Sequence, residues 1–242
     1  MNFDTRYLYV ILVIIAVTSL LDGGFNLLSV LLTLPGVLIA ITFHEYAHAL
    51  AAYKLGDETP KIQGRLNLNP LTHLDPIAVV LLLFTHIGWG KPVEINPNNF
   101  NRKISARTGE AIVAAAGPLM NILLAFVLTI IFYALQMFAT NFAINTQTGI
   151  IIMTMIQYAV IVNVGLGVFN LIPLPPLDGS KVLMGFLSYN AKRWFEEHEN
   201  IFYIIFVVIW ITPLSSLIIS PAINAIMNGI EAIVGALFSL FI

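Results

Sequence analysis

Thr42-Phe43-His44-Glu45-Tyr46-Ala47-His48-Ala49-Leu50 decides how the rest of the chain is read. It carries the pattern H-E-x-x-H inside a strongly apolar run. On an α-helix, residues four apart lie one turn above each other, so His44 and His48 can direct two imidazole nitrogens at one ion. Glu45 projects beside the pair, close enough to take a proton from an activated water. The spacing suits a tetrahedral zinc ion that keeps one coordination position open. A pattern with three fixed positions also arises by chance. Two imidazoles and a carboxylate are nevertheless costly in a hydrocarbon-facing segment, where ionisable groups mark functional sites.

The surroundings of this stretch set the class. The chain has 242 residues, 58% of them hydrophobic and 10% charged, with a mean hydropathy of +0.89. Soluble domains carry roughly 25% charged residues. Several apolar runs reach the ~20 residues needed to cross a bilayer, so the chain reads as an all-α polytopic membrane protein forming a single integral-membrane domain. A net charge of −2 with scattered Lys and Arg gives no basic stripe, which argues against nucleic acid as a partner. The chain has no cysteine, so disulfides, thiolate metal ligands and thiol catalysis are excluded. Any metal must be held by His, Asp or Glu.

Working outward, residues 25–55 form one long apolar run with Pro35-Gly36 as an expected kink or break. Residues 7–21 precede it as a first spanning segment, read as retained because no small-x-small cleavage site follows. After it, Ile62, Leu66 and Leu68 alternate with Gln63, Asn67 and Asn69, which predicts a short strand or hairpin over 61–68. Residues 77–87 are apolar but too few for a helix across a ~30 Å core, and read as a re-entrant or surface element. Third and fourth spans are expected at 111–138 and 150–172, and a fifth at 201–219, stopped by Pro221. Residues 222–242 form either a sixth span or an interfacial helix. The expectation is five or six transmembrane helices with a short β or re-entrant element between the second and third.

Lys and Arg concentrate in residues 54–107 and 181–193, with Arg6 before the first span, which places the termini and both basic loops on the cytoplasmic side. The H-E-x-x-H helix ends at that side, and so does the fourth span. Beyond the fourth span comes Pro173-Leu174-Pro175-Pro176-Leu177-Asp178-Gly179, where three prolines forbid continued helix. Asp178 can cap the next helix, or it can supply the third protein ligand that a catalytic zinc usually has. Its arrival at the same depth as His44 and His48 favours the ligand reading.

His44-Glu45-x-x-His48 together with Asn170-x-x-Pro173-x-Pro175-Pro176-Leu177-Asp178-Gly179 resembles the site-2 protease family of zinc intramembrane metalloproteases. Ala116-Gly117-Pro118-x-x-Asn121 is similar to that family's small-residue motif, and Gly88-Trp89-Gly90-Lys91-Pro92-Val93 to a segment of its short members. The likeness covers roughly residues 25–185, the family's catalytic core, with no PDZ or CBS domain in view. The resemblance implies one zinc per chain held by His44, His48 and Asp178, with Glu45 as general base. It also implies that Asn170 positions the substrate or steadies an oxyanion, the alternative being that Asn170 only satisfies backbone opened by Pro173, while Gly117 and Asn121 serve packing. His73 is expected to make a local hydrogen bond. The implied activity is hydrolysis of peptide bonds in or near transmembrane segments of other proteins. Lipid bilayer, transmembrane substrates and a regulatory membrane partner would be its company, and a prokaryotic cytoplasmic membrane its location. The competing readings are a membrane metal transporter and a metal-binding homologue without catalysis. Glu45 separates them, because only a hydrolase needs a base that is not itself a ligand.

Overall fold

The computed structural model describes residues 26–75 and 90–241. The expected first span and the 77–87 element lie outside the described residues. Helix α1, Leu27–Lys54, starts where the Asn26 side chain accepts hydrogen bonds from the backbone of Leu28 and Ser29. Two short helices follow, α2 (Thr59–Ile62) and α3 (Pro70–His73), and then a 3-10 turn at Pro97–Asn99. The long helix α4, Ala106–Phe138, is capped by Ser105, and α6, Gln147–Asn170, by Thr146. The six-residue α5, Thr140–Asn145, joins them. Beyond the proline-rich turn come α7 (Asp178–Phe186), α8 (Tyr189–Glu197), α9 (Glu199–Ile211) and α10 (Leu214–Phe238).

Helices α1, α4 and α6 pack on one another, and α10 leans on α4 and α6. The side-chain pattern of α4 shows what surrounds this bundle. Gly117, Asn121, Ala125 and Thr129, spaced one turn apart, are buried. Leu119, Leu123, Val127 and Ile131, on the same spacing, are exposed by 42–57%. Small and polar groups face inward while large aliphatic groups face outward, the reverse of a soluble helix and the pattern of one packed in lipid. Small inward residues let backbones approach. A Cβ added at Gly36 would stand 2.7 Å from the Ala159 Cα, so α1 and α6 meet at nearly backbone distance there.

Among the described residues four helices are long and apolar enough to cross a membrane: Leu27–Lys54, Ala106–Phe138, Gln147–Asn170 and Leu214–Phe241. Three sequence expectations need correction. Of the kink or break expected at Pro35-Gly36, the break does not occur, since Pro35 lies inside α1. The expected fifth span is divided, because Pro213 drives Thr212 into extended backbone and ends α9 after 13 residues. Pro221 instead sits inside α10, which joins residues expected in two separate segments. At ~1.5 Å per residue α9 is ~20 Å long, short of a hydrocarbon core. The third correction concerns residues 61–68, which form no strand. Pro60 starts a helical turn, Gly64 takes a positive φ of 67°, and Asn67 turns its side chain onto the Asn69 backbone N–H. Apolar alternation there reflects turns, not a pleat. Among the described residues the isolated bridge Leu74–Gly90 is the sole β-pairing.

Buried side chains hold the polar segments against the end of α1. Asp57 is wholly buried and accepts from the Thr59 backbone N–H (3.1 Å), the Thr59 hydroxyl (2.6 Å), the Asn96 N–H (2.6 Å) and the Asn99 amide (3.0 Å). Burial works against its ionised form, but the hydrogen bonds from Thr59, Asn96 and Asn99 outweigh burial and hold the carboxyl below its ordinary range. The Arg65 guanidinium reaches the carbonyls of Thr72, Lys91 and Pro92, tying residues 91–92 to the α3 turn. His73 makes the expected local bond, donating from Nε2 to the Asn67 carbonyl at 2.7 Å. Burial lowers its pKa despite that bond.

Two outcomes follow from Asp57. Asp57→Ala should cost about 2 kcal/mol of stability, the scale of hydrogen bonds to a charged group. In detergent this reads as a lower Tm, with faster amide exchange concentrated at residues 57–59 and 96–101. The folded pKa of Asp57 lies below its unfolded value of ~3.9, so its stabilisation is complete above about pH 5 and is lost as pH falls through the folded value. The acid limb of stability against pH should therefore be shallower in the variant.

Candidate metal centre

His44 and His48 project from the same face of α1, and Asp178 is the first residue of α7. The Asp178 Oδ2 atom stands 3.1 Å from His44 Nε2 and 3.1 Å from His48 Nε2. The two rings meet edge to face with centroids 4.6 Å apart. One donor atom from each of the three residues lies within 4.8 Å of the other two, and His44 and His48 are buried. Of the two readings of Asp178, the structure excludes the cap: Leu177 is the N-cap of α7 and no side chain caps that helix.

The protonation of the rings follows from their outer partners. His48 Nδ1 lies 2.7 Å from the Val113 carbonyl, which can only accept, so Nδ1 carries the proton. His44 Nδ1 lies 2.6 Å from Asn121 Oδ1. That amide is oriented by its nitrogen, which donates at 3.0 Å to both the Ala40 carbonyl and Asn163 Oδ1. His44 therefore also carries its proton on Nδ1. In their neutral form both rings then present Nε2 lone pairs to a carboxylate oxygen, and three acceptors converge, an arrangement that a cation resolves. A tetrahedral ion with bonds of ~2.0–2.1 Å separates its ligand atoms by ~3.3 Å, close to the 3.1 Å found here. The residues fit a divalent metal.

Glycines make this convergence possible. A Cβ on Gly117 would stand 2.4 Å from His48 Nε2 and 2.8 Å from His44 Cε1, so only glycine lets α4 pass behind both rings. A Cβ on Gly179 would stand 2.3 Å from the Ile172 carbonyl, so glycine lets the first turn of α7 press onto the end of α6 and bring Asp178 inward. A Cβ on Gly90 would stand 2.5 Å from Glu45 Oε1, so the chain at Gly90 passes directly against that carboxylate.

Glu45 is 8% exposed, stands outside the three-residue cluster, and lines a cavity of about 430 Å³ with His44, His48 and Asp178. Asn170 borders the same cavity, but its amide donates to the Leu166 carbonyl at 3.0 Å and not to the three acceptors. Pro92, Val93 and Lys181 complete the mouth. Sequence reasoning gave Gly117 and Asn121 a packing role only, whereas they clear space for the rings and orient one of them. It passed over Val113 and Asn163. Nothing in a sequence singles out a backbone carbonyl, but an Asn in the middle of an apolar span was a readable signal.

The profile of peptidase family M50 matches residues 32–213. Over 202 residues the chain is 34% identical to "Putative zinc metalloprotease YwhC" of Bacillus subtilis (strain 168), covering 84% of this chain and 90% of YwhC. It is 29% identical over 189 residues to Rip2 of Mycolicibacterium smegmatis, which carries the same description, covering 76% of this chain and 68% of Rip2. Rip2 of Mycobacterium tuberculosis (strain H37Rv) is 24% identical over 186 residues. No solved structure gives a significant match. Its two-histidine, one-aspartate cluster on α1 and α7, and a family match over more than half its length, show that this chain belongs to peptidase family M50.

Proposed function

We propose that the protein is a zinc-dependent intramembrane endopeptidase that cuts peptide bonds in or near membrane-spanning segments of other proteins. The observation that carries this reading is the placement of Glu45: a carboxylate outside the ligand cluster, on the same helix face region and open to the same cavity. A transporter has no use for such a group. Among the described residues there is also no second cluster of three metal-binding side chains along the bundle. Relatives described as zinc metalloproteases support the identity of the ion.

In this reading His44, His48 and Asp178 hold one zinc ion. Zinc bound there supplies Lewis acidity, polarising the scissile carbonyl and making water a nucleophile near neutral pH. Glu45 takes the proton of the attacking water and returns it to the leaving amine. Asn170, on the cavity wall, positions the substrate backbone. A helical substrate hides its carbonyls in its own hydrogen bonds, so it must be unwound locally before it can react. The chain at Gly90–Val93 borders the cavity beside Glu45, and an extended substrate would add alongside that backbone. The stretch 61–68, folded into turns, does not serve this role.

The distribution of Lys and Arg supports a cavity that opens towards the cytoplasm. Lys181 and Glu110 at the mouth offer water a polar approach. The bacterial relatives favour a prokaryotic cytoplasmic membrane. Substrate choice would then rest on the membrane core or on a membrane partner.

Detergent-purified wild type and Glu45→Gln should each bind about one zinc per chain, while cleavage of a model transmembrane substrate falls by at least ~10³ in the variant, the scale of a lost general base. Wild type without zinc would overturn the reading. Gly117→Ala should cost at least ~10² in zinc affinity, because its methyl group displaces both rings. Gly90→Ala should keep zinc and lose turnover, since it pushes on Glu45 alone. Metal analysis after dialysis against a chelator, alongside the cleavage assay, separates the two.

A further inference from the structure

We propose that Asn163 is a positioning residue for the metal centre, setting the tautomer of His44 through Asn121. This rests on the reading of His44, His48 and Asp178 as zinc ligands. Asn163 lies in the middle of α6 and is wholly buried, as is Asn121. An amide there has no water to satisfy it, so its partners are fixed by the protein. Asn163 Nδ2 donates to the Ala159 carbonyl at 2.8 Å, which orients the amide and turns Oδ1 towards α4. Oδ1 accepts from Asn121 Nδ2 at 3.0 Å, and Asn121 Oδ1 accepts from His44 Nδ1 at 2.6 Å. Donation runs in one direction, from His44 on α1 through Asn121 on α4 to Asn163 on α6, and ends at the Ala159 carbonyl, which can only accept.

The direction matters because the site has a competing state. If the His44 proton moved to Nε2, that atom would donate to Asp178 Oδ2, already 3.1 Å away, and the pair would satisfy itself without a metal. That state needs Asn121 to present its N–H to His44 Nδ1, with its amide reversed. Reversal would bring Asn121 Oδ1 against Asn163 Oδ1 and the Ala40 carbonyl, oxygen against oxygen. Asn163 thus holds open a site that could otherwise close on itself. Ala40 supplies the other acceptor, so loss of Asn163 weakens the bias and does not abolish it. The signal is an affinity change and not an all-or-none loss.

The test uses the full chain in detergent and zinc alone as the probe. Zinc affinity is measured by competition with a chromophoric chelator for wild type, Asn163→Leu and Asn163→Asp. The ring ¹⁵N shifts of His44 are read in the zinc-free proteins. Asn163→Leu should bind zinc about tenfold more weakly, the lower end of what outer partners of ligating histidines contribute. Asn163→Asp, buried and therefore held as the neutral acid, can donate to the Ala159 carbonyl while its other oxygen faces Asn121, and should stay within about twofold of wild type on the same scale. Zinc-free wild type should carry the His44 proton on Nδ1, and Asn163→Leu should shift population to Nε2. Unchanged affinity in Asn163→Leu, or equal weakening in both variants, would assign Asn163 to helix packing and overturn the proposal. So would an Nε2 proton on His44 in wild type, a measurement that stands even if the leucine variant fails to fold. Wild type that binds no zinc would instead overturn the metal centre itself.

Discussion

Three hydrogen-bond acceptors facing one another inside an apolar bundle are the constraint on which the rest of the structure depends. Two imidazole nitrogens and a carboxylate oxygen meet at about 3.1 Å, and the protons that could relieve them are committed outward to Val113 and Asn121. Among closely packed apolar helices such a conflict is costly, because each polar group left unsatisfied costs up to several kcal/mol. The polar network through Asn121 and Asn163 is therefore part of the site and not decoration of the helix interface.

Convergence of that kind requires backbones to come close, and the packing follows from it. Gly36, Gly117 and Gly179 each occupy a place where a methyl group would strike a neighbouring helix, a ligand ring or a backbone carbonyl. Small residues in membrane bundles do what the hydrophobic effect cannot do between apolar surfaces: they gain contact by bringing helices together. The price is a core thin in large side chains, made up on the far side of α4 and α6, where Val160, Val164 and Val168 meet Ile230, Val234 and Phe238 of α10. One side of the bundle is built for chemistry and the other for cohesion.

The polar segments at the end of α1 belong to the same design. Asp57 and Arg65 are buried charged groups satisfied almost wholly by backbone and amide partners. Each links the chain leaving α1 to residues 91–99. Through them Gly90–Val93 is held against Glu45, so the wall of the cavity opposite the ligands is fixed by contacts outside the bundle.

Local pattern by itself determined the membrane class, the course of α1, α4 and α6, and three candidates for the acceptors of the site. Those follow from apolar run length, from the one-turn spacing of His44 and His48, and from prolines that free Asp178 from α6, all properties of neighbouring residues. It left Pro35 between a kink and a break and misjudged Pro221 and the 61–68 turns, because whether a proline or an alternation ends, bends or joins an element depends on what packs against it. Only the tertiary structure decided that Asp178 faces the histidines and does not cap its helix. It alone assigned the ring protons, because a tautomer is chosen by partners such as Val113 and Asn163, which lie 65 residues from His48 and 42 from Asn121. Distances of that kind exist only once the helices have met.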